Sequence, residues 1–262
     1  MLSLIVKQDR IGPVIGHHPW VFSQALATIP DGLQSGEPIK LQDEKGKFLA
    51  LGYFNSYSQI AVRIWGYDKE ERVDEQFFVK RIARAYQLRK AYIENPDTNA
   101  YRLINGENDF LPGLVVDKYA DYLVVQFHTR GIEFWKAEIV HALKTILNPQ
   151  GIYERSDLTV RKMEPSEKSS GLLAGVVPEI VTIEENGLKF LVDVQHGQKT
   201  GFFLDQRNKR QAFMKYTNNA DVLNCFSYTG GFSIYALSGG AKRVINVDTS
   251  ENALELAKKN TE

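Results

Sequence analysis

Apolar and polar residues alternate over short runs through the first 70 positions. Leu4–Lys7, Pro38–Leu41, Phe48–Leu51 and Ile60–Ile64 have the β-branched and aliphatic content of strands. Asp31-Gly32, Ser35-Gly36 and Asp43–Gly46 separate them as turn signals, the last read as a hairpin loop. Short strands at this spacing predict a compact barrel. From residue 74 the period changes. Val79, Ile82, Ala83, Tyr86 and Ala91 recur at helical spacing, which predicts a helix over 74–94 with Asp74 as N-cap and Pro96 as its stop. Lys80, Arg81, Arg84, Arg89 and Lys90 lie among them. A basic face of this kind either meets RNA phosphates or is simply solvated.

Residues 100–194 read as α+β. Leu103-Ile104 and Leu114–Asp117 are strands, and Tyr119-Ala120-Asp121 turns into a further strand, Tyr122–Phe127. Ile132, Trp135, Ile139, Leu143 and Leu147 fall on one side of a helix predicted over 131–147. Gly151–Glu154 starts a strand, and the polar, Gly/Ser-rich stretch 161–175 is expected to be a loop. Glu179–Glu185 and Leu188–Val194 pair across Asn186-Gly187, the strongest short hairpin signal in the chain.

The last third has a different rhythm. The apolar run Asp221–Phe226 reads as a buried strand that breaks at the turn Ser227–Gly231. A helix runs from Gly231 to Leu237 and ends at Gly239-Gly240; a second strand, Arg243–Asp248, and a second helix, Glu251–Lys259, follow. This is strand-loop-helix-strand-helix, one half of a doubly wound sheet. A glycine turn after the first strand brings a ligand close to backbone, and an acid ending the second strand can accept hydrogen bonds from two ribose hydroxyls. Asp248 lies 18 residues past Gly230, in the range for that role. The loop Ser227–Ser233 lacks the G-x-G-x-x-G spacing that holds a dinucleotide pyrophosphate. A cofactor with a ribose and no phosphate, S-adenosylmethionine, fits it better.

Composition narrows the picture. The 262 residues are 43% hydrophobic and 24% charged, with a formal net charge of zero. That is ordinary globular content, with no global field drawing the chain to nucleic acid or anionic membrane. A single cysteine, Cys225, excludes an intrachain disulfide and, with no signal peptide, favours a reducing, cytoplasmic setting. Five scattered histidines offer no metal site. No apolar run approaches the length of a membrane span. Cys225 itself is expected to be a small buried residue.

Five stretches carry a resemblance. Gly16-His17-His18-Pro19-Trp20-Val21-Phe22 resembles the GHPWVF segment of the PUA domain, a small RNA-binding pseudo-barrel, that opens a family of bacterial ribosomal-RNA methyltransferases. Asn105–Leu114 resembles that family's GE.DGLPGL loop, with Phe110 in place of the usual glycine. Gln198–Arg207 is similar to its GQKTGFFLDQR signature. Asn224–Ser233 and Val247–Ser250 resemble its motifs I and II. The resemblance covers the whole chain and implies a PUA-like β-barrel over 1–72, a central α+β domain over 73–194, and the start of a Rossmann-like α/β methyltransferase domain over 195–262. It implies S-adenosylmethionine as cofactor. Lys199, Thr200, Gly201, Phe203, Asp205 and Arg207 would form one wall and Ser227, Tyr228 and Gly230 another, with Asp248 holding the ribose. It also implies ribosomal RNA as partner, with His17, Trp20 and Arg84 as candidate contacts, and cytosine C5 in 23S RNA as the methylated atom.

That chemistry needs a cysteine to add at C6 of the base before C5 becomes nucleophilic. In the family this cysteine follows an Asp-Pro-Pro loop beyond motif II, and these 262 residues contain neither. Cys225 lies inside motif I and is a poor candidate. The expectation is therefore a truncated or partner-completed enzyme, a homodimer being one such arrangement, that cannot methylate RNA by itself. Half a doubly wound sheet leaves apolar strand edges and faces uncovered. A non-catalytic RNA-binding protein is the alternative, and a nicotinamide-dependent dehydrogenase is disfavoured by the loop.

Overall fold

A computed structural model describes residues 1–156 and 169–262, in two compact units. The first comprises Met1–Leu88, Leu103–Val116 and Val125–Gly175; the second comprises Arg89–Arg102, Asp117–Val124 and Val176–Glu262. Among the described residues no helix is long and apolar enough to cross a membrane.

The first unit begins with strand β1 (Leu2–Ile5), a short helix α1 (Ile11–Ile15) and strand β2 (Trp20–Phe22). β3 (Pro38–Gln42), β4 (Phe48–Phe54) and β5 (Ile60–Gly66) follow. They form one sheet in the order β1-β3-β4-β5-β2, with β1 parallel to β3 and the other pairs antiparallel. The expected barrel is not closed: β1 and β2 are the two edges of an open sheet. β2 is only three residues long, and the link across the gap is a single bridge, Val6 to Leu26. One face of the sheet packs Leu4, Val6, Ile39, Leu41, Ala50 and Val62 into a core. Asp43 organises the β3–β4 hairpin as its turn composition predicts, its carboxylate accepting from the backbone N–H of Lys45 and Lys47.

Helix α2 (Glu75–Tyr92) starts where Asp74 caps it, accepting from the Phe77 N–H at 3.0 Å. A second five-stranded sheet has the order β10-β9-β8-β7-β6: β6 (Ala100–Asn105), β7 (Leu114–Tyr119), β8 (Tyr122–Phe127), β9 (Gly151–Arg155) and β10 (Ser170–Gly175). β6 to β8 contribute residues to both units. The helix predicted over 131–147 is two helices, α3 (Arg130–Glu133) and α4 (Lys136–Leu147). The break falls at Phe134-Trp135. There the Trp135 indole packs against Phe78 and Trp65 and donates to the Gly36 carbonyl, an anchorage that a continuous helix would have to share with its regular spacing. Ser170–Gly175, expected to be loop, is β10, paired antiparallel with β9. The rest of that predicted loop, 161–168, lies outside the described residues.

One residue of the first unit is a poor match for its backbone. Phe110 closes the 3-10 turn Gly106–Asp109 with φ 57° and ψ 30°. Left-handed backbone costs a non-glycine residue roughly 1 kcal/mol.

The second unit contains the hairpin β11 (Ile180–Glu185) and β12 (Leu188–Asp193). Asn186 (φ 52°) and Gly187 (φ 77°) both take positive φ, as a two-residue hairpin turn requires. Helix α5 (Arg207–Met214), β13 (Asp221–Cys225), α6 (Gly231–Ser238), β14 (Arg243–Val247) and α7 (Glu251–Thr261) complete it. β13 and β14 pair in parallel, Asp221 opposite Arg243 through Cys225 opposite Val247. The half-Rossmann pattern is therefore present, but β13 is not the buried strand its composition predicts. Leu223 is 63% exposed and Ile245 46%, Phe226 stands almost fully in solvent, and Cys225 is exposed rather than buried. Two strands with α6 and α7 leave part of the sheet uncovered among the described residues.

Candidate cofactor-binding site

Two loops of the second unit meet, and one tyrosine joins them. The first loop follows β12. Asp193 ends that strand, and its Oδ1 accepts from the backbone N–H of Gln195 and His196, which turns the chain. Gly201 then comes so close to β12 that a Cβ there would stand 2.8 Å from the Asp193 carbonyl oxygen, with φ 131° besides. Glycine is required on both counts. The second loop follows β13. Phe226 (φ 57°) and Tyr228 (φ 48°) both take left-handed backbone, and Gly230 (φ 75°) caps α6. Two strained aromatics in one short loop mark a segment whose shape is set by its surroundings.

The Tyr228 hydroxyl accepts from the Gln198 N–H at 2.8 Å and donates to the Gly201 carbonyl at 2.9 Å. Its ring meets Phe203 edge-on at 5.5 Å. Its own N–H donates to Asp248 Oδ2 at 2.8 Å, while Asp248 Oδ1 accepts from the Ser250 N–H at 3.0 Å. These backbone donors, Ser250 first and then Tyr228, hold the Asp248 carboxyl below its ordinary range. A carboxylate has about four acceptor positions. The N–H groups of Tyr228 and Ser250 take two and the Thr249 N–H also bears on the carboxylate, which still leaves acceptor capacity for a ribose hydroxyl. Ser227 Oγ and Thr229 Oγ1 are buried without a protein partner. Two unpaired hydroxyls in this strained loop, beside a carboxylate with acceptor capacity left at the end of β14, form a donor and acceptor set suited to a nucleoside. Replacing Tyr228 with phenylalanine should cost about 1–3 kcal/mol of stability, since the Gln198 N–H and Gly201 carbonyl both lose their partner. Urea denaturation and faster amide exchange at Gln198 will read it.

The remaining sequence-nominated residues divide. Gly201, Phe203, Ser227, Tyr228, Gly230 and Asp248 lie on these two loops or at the β14 end. Lys199 is exposed, with φ 58°. Asp205 is exposed in the 3-10 turn Leu204–Gln206, where it accepts from Gln206, and Arg207 opens α5. Thr200 is buried and committed inward: its hydroxyl donates to Asp117 Oδ2 and hydrogen-bonds the Tyr119 hydroxyl at 2.8 Å. Asp117 is held by both Arg102 Nε and Nη2. Burial, then the Asp117 charge, drives the Tyr119 hydroxyl far above its ordinary pKa, so it stays protonated.

Sequence reasoning missed the residues that brace the site from beneath. Arg210 is 2% exposed, sends Nε and Nη2 to the Glu185 carboxylate at 2.8 and 2.7 Å, and gives Nη1 to the Phe203 carbonyl. Its guanidinium lies over the Phe202 ring at 4.6 Å. Tyr235 donates to Glu185 as well and accepts from Asn186. Ser233, Asn224 and Asn246 form a second polar cluster between α6 and the strands. The only signal for these in the chain is a charge or amide at a position where the apolar pattern wants a core residue.

The candidate RNA contacts belong to the first unit. His17 (φ 62°) stacks on Tyr67 at 4.0 Å. Trp20 is partly exposed and donates Nε1 to Glu107 Oε1 at 2.8 Å. Arg84 is exposed, with its guanidinium 6.0 Å from the Phe110 ring centroid.

Residues 4–67 match the PUA-like domain family, and residues 150–262 match the S-adenosylmethionine-dependent methyltransferase family. The Ribosomal RNA large subunit methyltransferase I of Aeromonas salmonicida is 47% identical over 260 residues, covering 99% of this chain and 66% of that protein. The protein of the same name from Escherichia coli O157:H7 is 44% identical over 262 residues, covering 100% of this chain and 66% of its own. The chain thus spans about two thirds of the length of these relatives. Among solved structures, a S-adenosylmethionine-dependent methyltransferase from Streptococcus mutans is 25% identical with a TM-score of 0.82. A second methyltransferase, complexed with SAH (S-adenosylhomocysteine), is 26% identical with a TM-score of 0.84. In both cases 99% of this chain and 66% of the other are covered. With a PUA-like segment, the methyltransferase loops and relatives of this identity along its whole length, the chain belongs to the PUA-containing family of S-adenosylmethionine-dependent large-subunit ribosomal-RNA methyltransferases.

Proposed function

We propose that this chain holds S-adenosylmethionine between the 197–207 and 227–231 loops and serves a protein that methylates cytosine C5 of 23S ribosomal RNA. The observation that carries the reading is Tyr228. Its N–H fixes Asp248 while its hydroxyl fixes Gln198 and Gly201, so one residue holds the ribose acceptor in register with the opposite loop. Asp248 would accept the two ribose hydroxyls. Gly201, Phe203, Ser227 and Gly230 would lie along the cofactor, with Lys199, Asp205 and Arg207 at its methionine end and Thr200 shaping the loop from within. The cofactor supplies an electrophilic methyl group, and these residues bind and orient it.

The same proposal divides the chain at residues 72 and 194 into an RNA-binding module, a central domain and the cofactor half of the catalytic domain. His17, Trp20 and Arg84 would contact ribosomal RNA. The cysteine that attacks the base lies outside these 262 residues, because Cys225 sits at the end of β13 inside the cofactor loop region. A second copy of the chain is one way to cover the exposed face of β13 and β14. The other reading is RNA binding without catalysis, through the PUA-like and central domains.

Calorimetric titration with S-adenosylhomocysteine and, separately, with NAD tests the cofactor assignment. S-adenosylhomocysteine should bind with one site per chain and NAD should not. Binding of NAD in its place would overturn the assignment, and binding of neither would leave the RNA-binding reading as the better one.

A further inference from the structure

We infer that Phe110, with Arg84 beside it, is a stacking platform for an unpaired nucleobase of single-stranded RNA; this rests on the RNA-binding reading above. Residue and backbone are mismatched at position 110. Phe110 takes φ 57° and ψ 30°, where glycine, asparagine or aspartate is comfortable and a phenylalanine is crowded. The turn does not need the ring. The Phe110 N–H donates to the Glu107 carbonyl at 3.0 Å, and its own carbonyl accepts from Arg81 Nη1 at 3.3 Å. Both are backbone contacts that any residue here can make. Phe110 as a residue is 44% exposed, so it adds little to the core. A strained and exposed aromatic points to something it meets outside the chain.

The neighbours say what that is. The Arg81 guanidinium is 5.6 Å from the ring centroid but is already paired with Glu71 at 2.8 Å. Arg84 is 6.0 Å from the same centroid and exposed, with no acidic partner among the described residues. In the same loop Glu107 accepts from the indole N–H of Trp20, whose ring is 37% exposed. Around one short loop therefore lie two partly exposed aromatic residues and, among the described residues, an exposed guanidinium with no carboxylate partner. Aromatic and guanidinium planes hold splayed bases, and a duplex hides those base faces. Neither a phosphate-only contact nor a duplex groove calls for the ring.

Fluorescence anisotropy with an unstructured RNA of about 12 nucleotides and with a duplex of the same length tests this on the 262-residue chain. Phe110→Asn keeps a residue that accepts left-handed backbone and removes the ring. It should weaken single-strand binding about tenfold, leave duplex binding within about twofold, and leave Tm unchanged or raise it a few degrees. Phe110→Tyr should bind like the wild type. Arg84→Ala should weaken single-strand binding and flatten its salt dependence. Single-strand binding by Phe110→Asn within about twofold of wild type overturns the inference. So does a Tm loss of several degrees, which would make the ring structural. A wild-type chain that binds neither RNA removes the RNA-binding reading as well, which separates the two failures.

Discussion

Replacing Glu185 with alanine is expected to cost about 3–5 kcal/mol, the largest single-residue effect in the second unit. Glu185 is fully buried, and its two oxygens receive Nε and Nη2 of Arg210, itself 2% exposed. Removing the carboxylate leaves a guanidinium in a dry interior with one remaining acceptor, the Phe203 carbonyl. It also strips the Tyr235 hydroxyl of a partner. Against a typical total of about 5–15 kcal/mol, that loss moves the urea midpoint by a large fraction of its value. The pair as a whole is worth far less than either half. Desolvating both charges offsets most of their attraction, so the double variant Glu185→Leu/Arg210→Met should return to within about 2 kcal/mol of the wild type. Equilibrium urea denaturation of the single and double variants measures this. A single variant that loses under about 1 kcal/mol would show that Arg210 finds another acceptor or water.

The second large effect concerns binding. Asp248→Ala should weaken S-adenosylhomocysteine about 100-fold, because two hydrogen bonds to a charged acceptor disappear together. The backbone donors of Tyr228 and Ser250 also lose their acceptor, so the loop is less well set even before ligand arrives. The pH dependence follows from the same contacts. The Asp248 carboxyl is depressed from its ordinary 3.8, mainly by the Ser250 and Tyr228 N–H groups. A depressed carboxyl contributes stability that is complete above the unfolded-state value and lost as pH falls through the folded one. Wild-type affinity should therefore be flat from neutral pH down to about pH 5 and fall only below about pH 4. In Asp248→Ala that low-pH fall should disappear. Calorimetry across this range decides it: a variant within about threefold of wild type at neutral pH would remove Asp248 from the site.

Both effects bear on how the site is held. Asp248 was legible because an acid at the end of a second strand, a fixed distance past a glycine turn, is a local pattern. Gly230 was legible as part of that same turn, whereas Gly201 and Tyr228 were nominated only through the resemblance of their stretches to family signatures. Arg210 and Glu185 were not. They are 25 residues apart and meet only because α5 lies against the end of the β11–β12 hairpin. Glu185 falls on the inward side of its strand's alternation, beside Val181 and Ile183, but nothing in the sequence says which charge meets it. Thr200 shows the converse. It belongs to the most recognisable stretch of the chain, yet its side chain turns inward to Asp117 and Tyr119, residues 83 and 81 positions away.

By itself the sequence determined the order and kind of most elements: the short strands of the first unit, α2 with its Asp74 cap, the Asn186-Gly187 hairpin, and the strand-loop-helix-strand-helix run that ends the chain. These rest on periodicity, capping and turn chemistry, which act between neighbours. What only the tertiary structure decided is non-local. The first sheet stays open because β2 is too short to close it, and the 131–147 helix breaks because Trp135 is anchored by Gly36, nearly 100 residues away. Leu223 and Ile245 are exposed among the described residues, where β13 and β14 pair only with each other, because a strand's neighbours and not its composition determine what it buries. The pairing of Tyr228 with both Asp248 and the Gln198–Gly201 loop belongs to the same class: three local signals made into one site by packing.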